Sequence, residues 1–347
     1  MNLNIMKKYH DVKRGITVLK EPVNAVQAKI LKELLADGRK TDNEIAKKIS
    51  QKKENVKKIF ANMQENGIIT GATIHINYKK FGYKAVAHIL INGDPKQEDQ
   101  LIECLKKMPE IYTVYSRGIK GNIDVVTTLK TLEQLNEIKD KIKRDFSILE
   151  MKTAIWTDVK EMNENLAIIP ENRKNKIQTD DPQTKPQISS NSQNFVFDRV
   201  DQKIADKLSE NGRVPMEFLG KEVGITPETA KRRYEKLKKN GLLKVTIQVN
   251  PTKIGYQALC VFFTITSCEN TFSIIKRISR IPDIISIMKT TGDYDLQIYA
   301  MIQDLDQLLS IQEELGKIPG IMRMDSEILR LDRFQKWPSP RQYISTF

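Results

Sequence analysis

Histidine is scarce in this sequence of 347 residues: His10, His75 and His88, all in the first third. His75 and His88 fall in β-rich segments with no cysteine or carboxylate at metal-ligand spacing. They read as structural or surface residues, which leaves no metal centre and no histidine general base. Cysteine is scarce too. Cys104, Cys260 and Cys268 form no C-x-x-C pair, which excludes a zinc ribbon or a disulfide scaffold and fits a reducing compartment. There is no G-x-G-x-x-G and no phosphate-binding loop. Gly118-Ile119-Lys120-Gly121 reads as a hairpin turn rather than an anion cradle. Asp293 and Asp295 share a turn but have no base, nucleophile or metal partner beside them. No apolar run approaches the ~20 residues of a membrane span. The opening MNLNIMKKYHDVKRG lacks the apolar stretch of a secretory leader. The expectation is a cytoplasmic, non-enzymatic protein with no cofactor, no metal and no membrane partner.

What the chain does have is basic charge. Lys and Arg total 57 against 44 Asp and Glu, a formal charge of +13 and a pI near 9.4. That surplus favours a polyanionic partner, and nucleic acid is the first candidate. Its densest local expression is GITPETAKRRYEKLKKNGLLK, residues 224–244. Thr226 suits an N-cap and Pro227 the first helical position, while Asn240-Gly241 is a C-terminal stop. Ala230, Tyr234 and Leu237 share one face; Glu228, Arg232, Glu235 and Lys239 point the other way. The bland reading is a solvated charged face. The context gives a second one. Phe218, Leu219 and Val223 mark a helix just upstream, with Gly224-Ile225 as the turn. Val200, Ile204 and Leu208 mark a helix before that. Three short helices with a tight glycine turn between the last two make a helix-turn-helix, whose third helix enters the major groove.

The chain says this twice. Gly38-Arg39 and Asn66-Gly67 precede Gly212-Arg213 and Asn240-Gly241 at one offset, 174 residues (38 to 212, 66 to 240). Val26, Ile30 and Leu34 match Val200, Ile204 and Leu208. Val56, Phe60 and Met63 match Ala230, Tyr234 and Leu237. Lys80-Phe81-Gly82-Tyr83 matches Lys253-Ile254-Gly255-Tyr256, and Pro109-Glu110-Ile111 matches Pro282-Asp283-Ile284. Apolar spacing recurs by chance; matched Gly, Pro and Asn punctuation over some 130 residues marks an internal duplication.

Each three-helix unit is followed by a β-rich run, 68–76 and 242–249, and then by a second module. In the second copy, strands are expected at 259–266, 284–290, 296–302 and 321–329, with helices at 272–280 and 305–317. The first copy has strands near 85–91, 111–116, 123–129 and 148–157 and helices near 97–108 and 132–146. The order βαββαβ is the ferredoxin-like arrangement, an antiparallel sheet with helices on one face. The expected fold class is α+β: two copies of a winged-type three-helix helix-turn-helix domain plus a ferredoxin-like domain, joined by a flexible linker.

A helix-turn-helix, a β-linker and a βαββαβ module resemble the Lrp/AsnC (feast/famine) family of transcription regulators. The likeness is carried by Ile225-Thr226-Pro227, by Lys231 to Leu237 with Gly241-Leu242-Leu243, and by the turn Thr291-Gly292-Asp293-Tyr294-Asp295. It covers nearly the whole chain apart from the ends and one linker. It implies a regulator that binds double-stranded DNA, dimerises through its sheets and senses an amino acid at the module interface. Thr226, Glu228, Thr229 and Arg232 would then face base edges, with Pro227 in the same DNA-binding surface and Arg213, Lys231, Arg233, Lys236 and Lys239 on phosphates. Lys52, Lys53, Asn55, Lys57 and Lys58 occupy the corresponding surface of the first copy. Thr290, Thr291, Gly292, Asp293, Tyr294 and Asp295 would form the effector turn; the alternative is a tight turn in which Gly292 only supplies a positive φ. The first copy departs from the family pattern. Lys52-Lys53 replaces Thr226-Pro227, Ile59 replaces Arg233, and its turn from Arg117 to Asp124 is two residues longer, with Asn122-Ile123 for Asp293-Tyr294.

The boundaries read as an N-terminal extension (1–23), helix-turn-helix 1 (24–70), ferredoxin-like domain 1 (71–168), a linker (169–194), helix-turn-helix 2 (195–244), ferredoxin-like domain 2 (245–332) and a C-terminal tail (333–347). The linker has little apolar content to order it, and ~25 residues of coil reach roughly 25–30 Å. That length lets the two copies pair within one chain as a pseudo-dimer, or with another chain as a homo-oligomer. Two other functions stay open. The sirohaem decarboxylases resemble this family and occur as paired or fused modules, although they need histidine or comparable groups near a tetrapyrrole carboxylate and the second copy has no histidine. The other is a metabolite sensor or architectural protein without specific DNA readout.

Overall fold

The computed structural model describes residues 23–108, 110–117, 121–169, 172, 197–267, 271–331, 336–339 and 342–344. Three helices open it: α1 (Ala25–Ala36), α2 (Asp42–Lys48) and α3 (Lys53–Glu65). Two have side-chain caps. Asn24 with Gln27 starts α1 and Thr41 with Glu44 starts α2, each a reciprocal capping box that satisfies orphan amides. Strands β1 (Ile69–Asn77) and β2 (Ala85–Gly93) follow. Then come α4 (Glu98–Lys106), β3 (Ile111–Ser116), β4 (Asn122–Leu129), α5 (Glu133–Asp145) and β5 (Ile148–Glu161). The same order recurs: α6 (Arg199–Glu210), α7 (Met216–Val223), α8 (Pro227–Lys239), β6 (Leu243–Val249), β7 (Ala258–Thr266), α9 (Thr271–Ile278), β8 (Ile284–Thr291), β9 (Leu296–Ile302), α10 (Leu305–Gly316) and β10 (Ile321–Arg330).

The turn between the second and third helix is tight in both units. Gly224 closes it in the second at φ +80°, and Ser50 holds the matching position in the first at φ +55°. A serine there takes on a left-handed conformation that glycine adopts freely. A charge swap also relates the units. Buried Glu33 of α1 pairs with Lys48 (3.0 Å), and at the same offset Lys207 of α6 pairs with Glu222 (3.3 Å).

The halves interlock within the chain. β1 runs antiparallel to β6, from Ile69 opposite Val249 to Ile76 opposite Leu243. The remaining strands form one sheet in the order β10-β7-β9-β8-β5-β2-β4-β3, joined at its middle where β5 meets β8. The sheet curls so that its two halves face each other. Its opposite edges come together where Arg117, just past β3, pairs with Glu327 of β10. Strand periodicity then divides the core in three. Ala87, Ile89 and Ile91 face α4 and α5, and Cys260, Phe262, Ile298 and Ile302 face α9 and α10. Val86, Trp156, Val261, Phe263 and Tyr299 face inward, in a core continuous with both three-helix units.

Three sequence expectations change here. β5 runs to Glu161 rather than 157, because its last residues pair with Ser286 to Lys289 of the other half. Ile169, expected to begin the linker, is fully buried, and the Asn172 amide donates to the Glu164 and Leu166 carbonyls. The rest of the expected linker lies outside the described residues, as do positions 1–22 and the turn residues 118–120. Part of the expected tail is built into the fold. Trp337 exchanges backbone hydrogen bonds with Val249 (2.7 and 2.9 Å), and a short strand β11 (Gln342–Ile344) runs parallel to β1.

Candidate nucleic-acid interface

The helix α8 begins as its sequence dictates. Thr226 is extended, its hydroxyl accepts from the Thr229 amide (3.2 Å), and Pro227 takes the first position. Ala230, Tyr234 and Leu237 are buried against α6 and α7, which fixes the helix's rotation. Glu228, Lys231, Arg232, Glu235, Lys236 and Lys239 are therefore exposed, and Thr226 is exposed at the tip. Pro227 and Thr229 are half-buried. In α3, Val56 and Met63 are buried, which leaves Lys52, Lys53, Asn55, Lys57 and Lys58 on the outside. Lys52 starts α3 without a side-chain cap.

Two of the expected phosphate contacts are engaged elsewhere. The Arg233 guanidinium lies 2.8 Å from both Asp198 and Asp201 at the start of α6, and these two acids hold its proton more tightly. It ties the third helix to the first. Arg213 donates to the Gly38 carbonyl of the other half (2.6 Å) and lies over the Phe60 ring, 5.0 Å from its centre. Its counterpart Arg39 donates to the carbonyls of Gly212 (2.7 Å) and Val214 (2.8 Å) and lies over Tyr234. Each Gly-Arg pair thus docks one three-helix unit on the other half. The Gly38 amide donates to Val245 O and the Gly212 amide to Ala72 O. Thr246 donates to Leu35 O and Thr73 to Ser209 O, both 2.9 Å. The role of Arg39 was missed in the sequence, although the repeated Gly-Arg dipeptide was its signal.

The turn from Thr290 to Asp295 is more self-contained than its residue types imply. The Thr290 hydroxyl donates to Tyr294 O (2.5 Å) and the Thr290 amide to Asp295 O (2.8 Å). The Asp295 carboxylate accepts from the Thr266 amide (2.7 Å). Tyr294 packs against Phe263 and donates to Asp325 (2.7 Å). Gly292 sits at φ +126°. Of the two carboxylates expected to hold a zwitterion, Asp295 is consumed by the fold. Asp293 is exposed beside exposed Thr291 and Gly292. Asp295→Ala should therefore cost ~1–3 kcal/mol by orphaning a backbone amide, and Asp293→Ala should stay within ~0.5 kcal/mol. Urea denaturation of both variants checks this, and equal losses would contradict it.

His75 and His88 act inside the fold. His88 Nδ1 lies 3.1 Å from Gln297 Oε1, which also accepts from Trp156 Nε1 (3.0 Å). His75 Nε2 lies 3.0 Å from Asn163, and burial pushes this imidazole's pKa well below its ordinary value. Among the described residues there is no cluster of three or more His, Cys, Asp and Glu side chains able to hold a metal, and no helix is long and apolar enough to cross a membrane.

Two capped three-helix units on a curled α/β scaffold define a helix-turn-helix protein. An AsnC-type helix-turn-helix domain matches residues 197–238, an Lrp/AsnC ligand-binding domain matches 260–330, and a winged helix-turn-helix DNA-binding domain matches 24–70. The second half of the chain thus matches both domains of the Lrp/AsnC family, and the first half matches a helix-turn-helix model. Among its relatives, the HTH-type transcriptional regulator FL11 of Pyrococcus furiosus is 27% identical over 127 residues, 36% of this chain and 84% of that protein. The regulatory protein AsnC of Haemophilus influenzae is 26% identical over 143 residues, 39% of this chain and 95% of that protein. These relatives therefore align with less than half of this chain. A crystal structure of the siroheme decarboxylase NirDL is similar over 93% of this chain and 94% of that one, with a TM-score of 0.55 and 12% identity. At that identity the likeness is one of fold.

Proposed function

We propose that this chain is a DNA-binding transcription regulator, built as a tandem duplication whose two halves pair within one polypeptide. The observation that carries this reading is α8: a capped helix, fixed by three buried side chains, that turns Lys231, Arg232, Lys236 and Lys239 to solvent. Arg232 and Thr226 are the base-reading candidates. Lys231, Lys236 and Lys239 position phosphates, while Arg213 and Arg233 act inside the protein. The outer lysines of α3 hold the other half-site through its backbone. The fold likeness to a decarboxylase fits the two-half architecture and carries no chemistry to this chain. The exposed Asp293 corner remains the candidate contact for an amino-acid effector.

A homodimer of this kind presents two identical helices and favours a palindrome. One chain with two different readers, PETAKRR and KKENVKK, favours an asymmetric operator. The half-site under α8 should be strongly specified and the other loosely. Selection of binding sites from random DNA, with sizing of the free protein, checks this. The expected outcome is one chain per site and one conserved half. A palindrome bound by two chains would overturn the pseudo-dimer, and binding without sequence preference would overturn the regulator reading.

A further inference from the structure

Between the facing halves of the large sheet lies a cavity of about 60 Å³. Five aromatic side chains line it: Tyr112, Tyr115, Trp156, Tyr299 and Trp337. Among the described residues its only carboxyl group is that of Glu161, from the end of β5, and no basic side chain lines it. One Glu161 oxygen accepts from Ser286 Oγ (3.0 Å). The other is buried and has no hydrogen-bond partner, and neither has the buried hydroxyl of Thr113, which also lines the cavity. In its ionised form an orphaned carboxyl oxygen in an aromatic cavity needs a donor.

The lining selects the ligand's chemistry. With no arginine or lysine among the described residues of the wall, an anion or a zwitterion's carboxylate would be buried without a partner there. A divalent cation would find one carboxylate where six or more oxygens are wanted. A compact organic cation finds a carboxylate, hydroxyls and aromatic rings, which attract it through their electron-rich faces. At ~10–15 Å³ for each atom-sized site, the volume admits about four non-hydrogen atoms. We propose that this cavity binds a small aliphatic ammonium ion, its charge held by the Glu161 carboxylate within the ring of aromatic side chains. The site is separate from the recognition helices and from the turn at Asp293, so it stands whether or not the regulator reading holds.

Burial lifts the Glu161 carboxyl to about 8, opposed by the Ser286 hydrogen bond and by Lys244 of β6, with Glu164 adding to the rise. Burial raises the hydroxyls of Tyr299 of β9 and Tyr115 of β3, the other titratable groups that line the cavity together with Tyr112. The empty site is then largely protonated at neutral pH, and binding an ammonium ion releases that proton. Apparent affinity should fall by roughly tenfold for each pH unit below 8.

Both tryptophans of the chain, Trp156 and Trp337, line the cavity, so intrinsic fluorescence reports its occupancy. The full chain would be titrated with methylammonium and ethylammonium chloride at pH about 8.5, with potassium chloride, ethanol and glycine as controls. The expected result is a saturable change with both amines and none with the controls. Glu161→Gln, which mimics the neutral empty state and should fold, should weaken the amines tenfold or more. The proposal is overturned by no saturable response up to about 100 mM amine, by an equal response to ethanol, or by unchanged binding to Glu161→Gln. Wild-type affinity that is flat between pH 6 and 8 overturns it without recourse to any variant.

Discussion

Arg232→Ala should weaken binding to the selected operator by roughly 5- to 150-fold, the ~1–3 kcal/mol of one bidentate base contact, and should relax preference at that position alone. Arg232 is exposed on a helix whose opposite face is buried, so its loss leaves folding intact. Lys236→Ala should weaken all sequences alike and reduce the salt slope by about one. Arg233 is the internal control. It is adjacent in sequence, yet its charge is spent on Asp198 and Asp201. Arg233→Ala should lower the melting temperature while leaving sequence preference unchanged. Binding titrations at two salt concentrations, with melting curves for each variant, separate the three. If Arg233→Ala alone altered sequence preference, α8 would be docked on DNA by a different face.

A second large effect is expected where the halves interlock. A Cβ on Gly38 would come 2.7 Å from the Thr246 carbonyl carbon, and one on Gly212 would come 2.8 Å from the Thr73 carbonyl oxygen. Both neighbours are backbone within paired strands, so relief requires moving a strand. Gly38→Ala or Gly212→Ala should each cost ~1–3 kcal/mol, and valine more. Arg39→Ala with Arg213→Ala removes three charge-assisted hydrogen bonds to carbonyls, at ~1.5–3 kcal/mol for each carbonyl left buried. Because these contacts fix the two readers relative to one another, the arginine pair should also lower operator affinity, although Arg39 and Arg213 face inward. Thermal unfolding and operator titration check both statements. Variants that melt with the wild type would mean that the units are held by the β1–β6 ladder alone.

Much of this molecule is readable one element at a time. Thr226-Pro227 and Asn240-Gly241 bound α8, and Ala230, Tyr234 and Leu237 fix its buried face, because caps and helical periodicity act within a few residues. Alternating apolar residues set the strands, and the repeated Gly, Pro and Asn set the order of the elements. What sequence by itself could not decide was where a side chain's charge is spent. Arg232 and Arg233 are neighbours of identical chemistry; rotation of α8 by its packing sends one to solvent and the other onto the acids of α6. Asp293 and Asp295 divide in the same way, since only Asp295 meets a strand amide. Arg39 and Arg213 lie 174 positions apart (39 to 213), and their reciprocal grip exists only once β1 and β6 pair. The cavity beside Glu161 belongs to the tertiary structure altogether. Its walls come from both halves and from Trp337, and only closure of the sheet on itself brings them around that carboxyl.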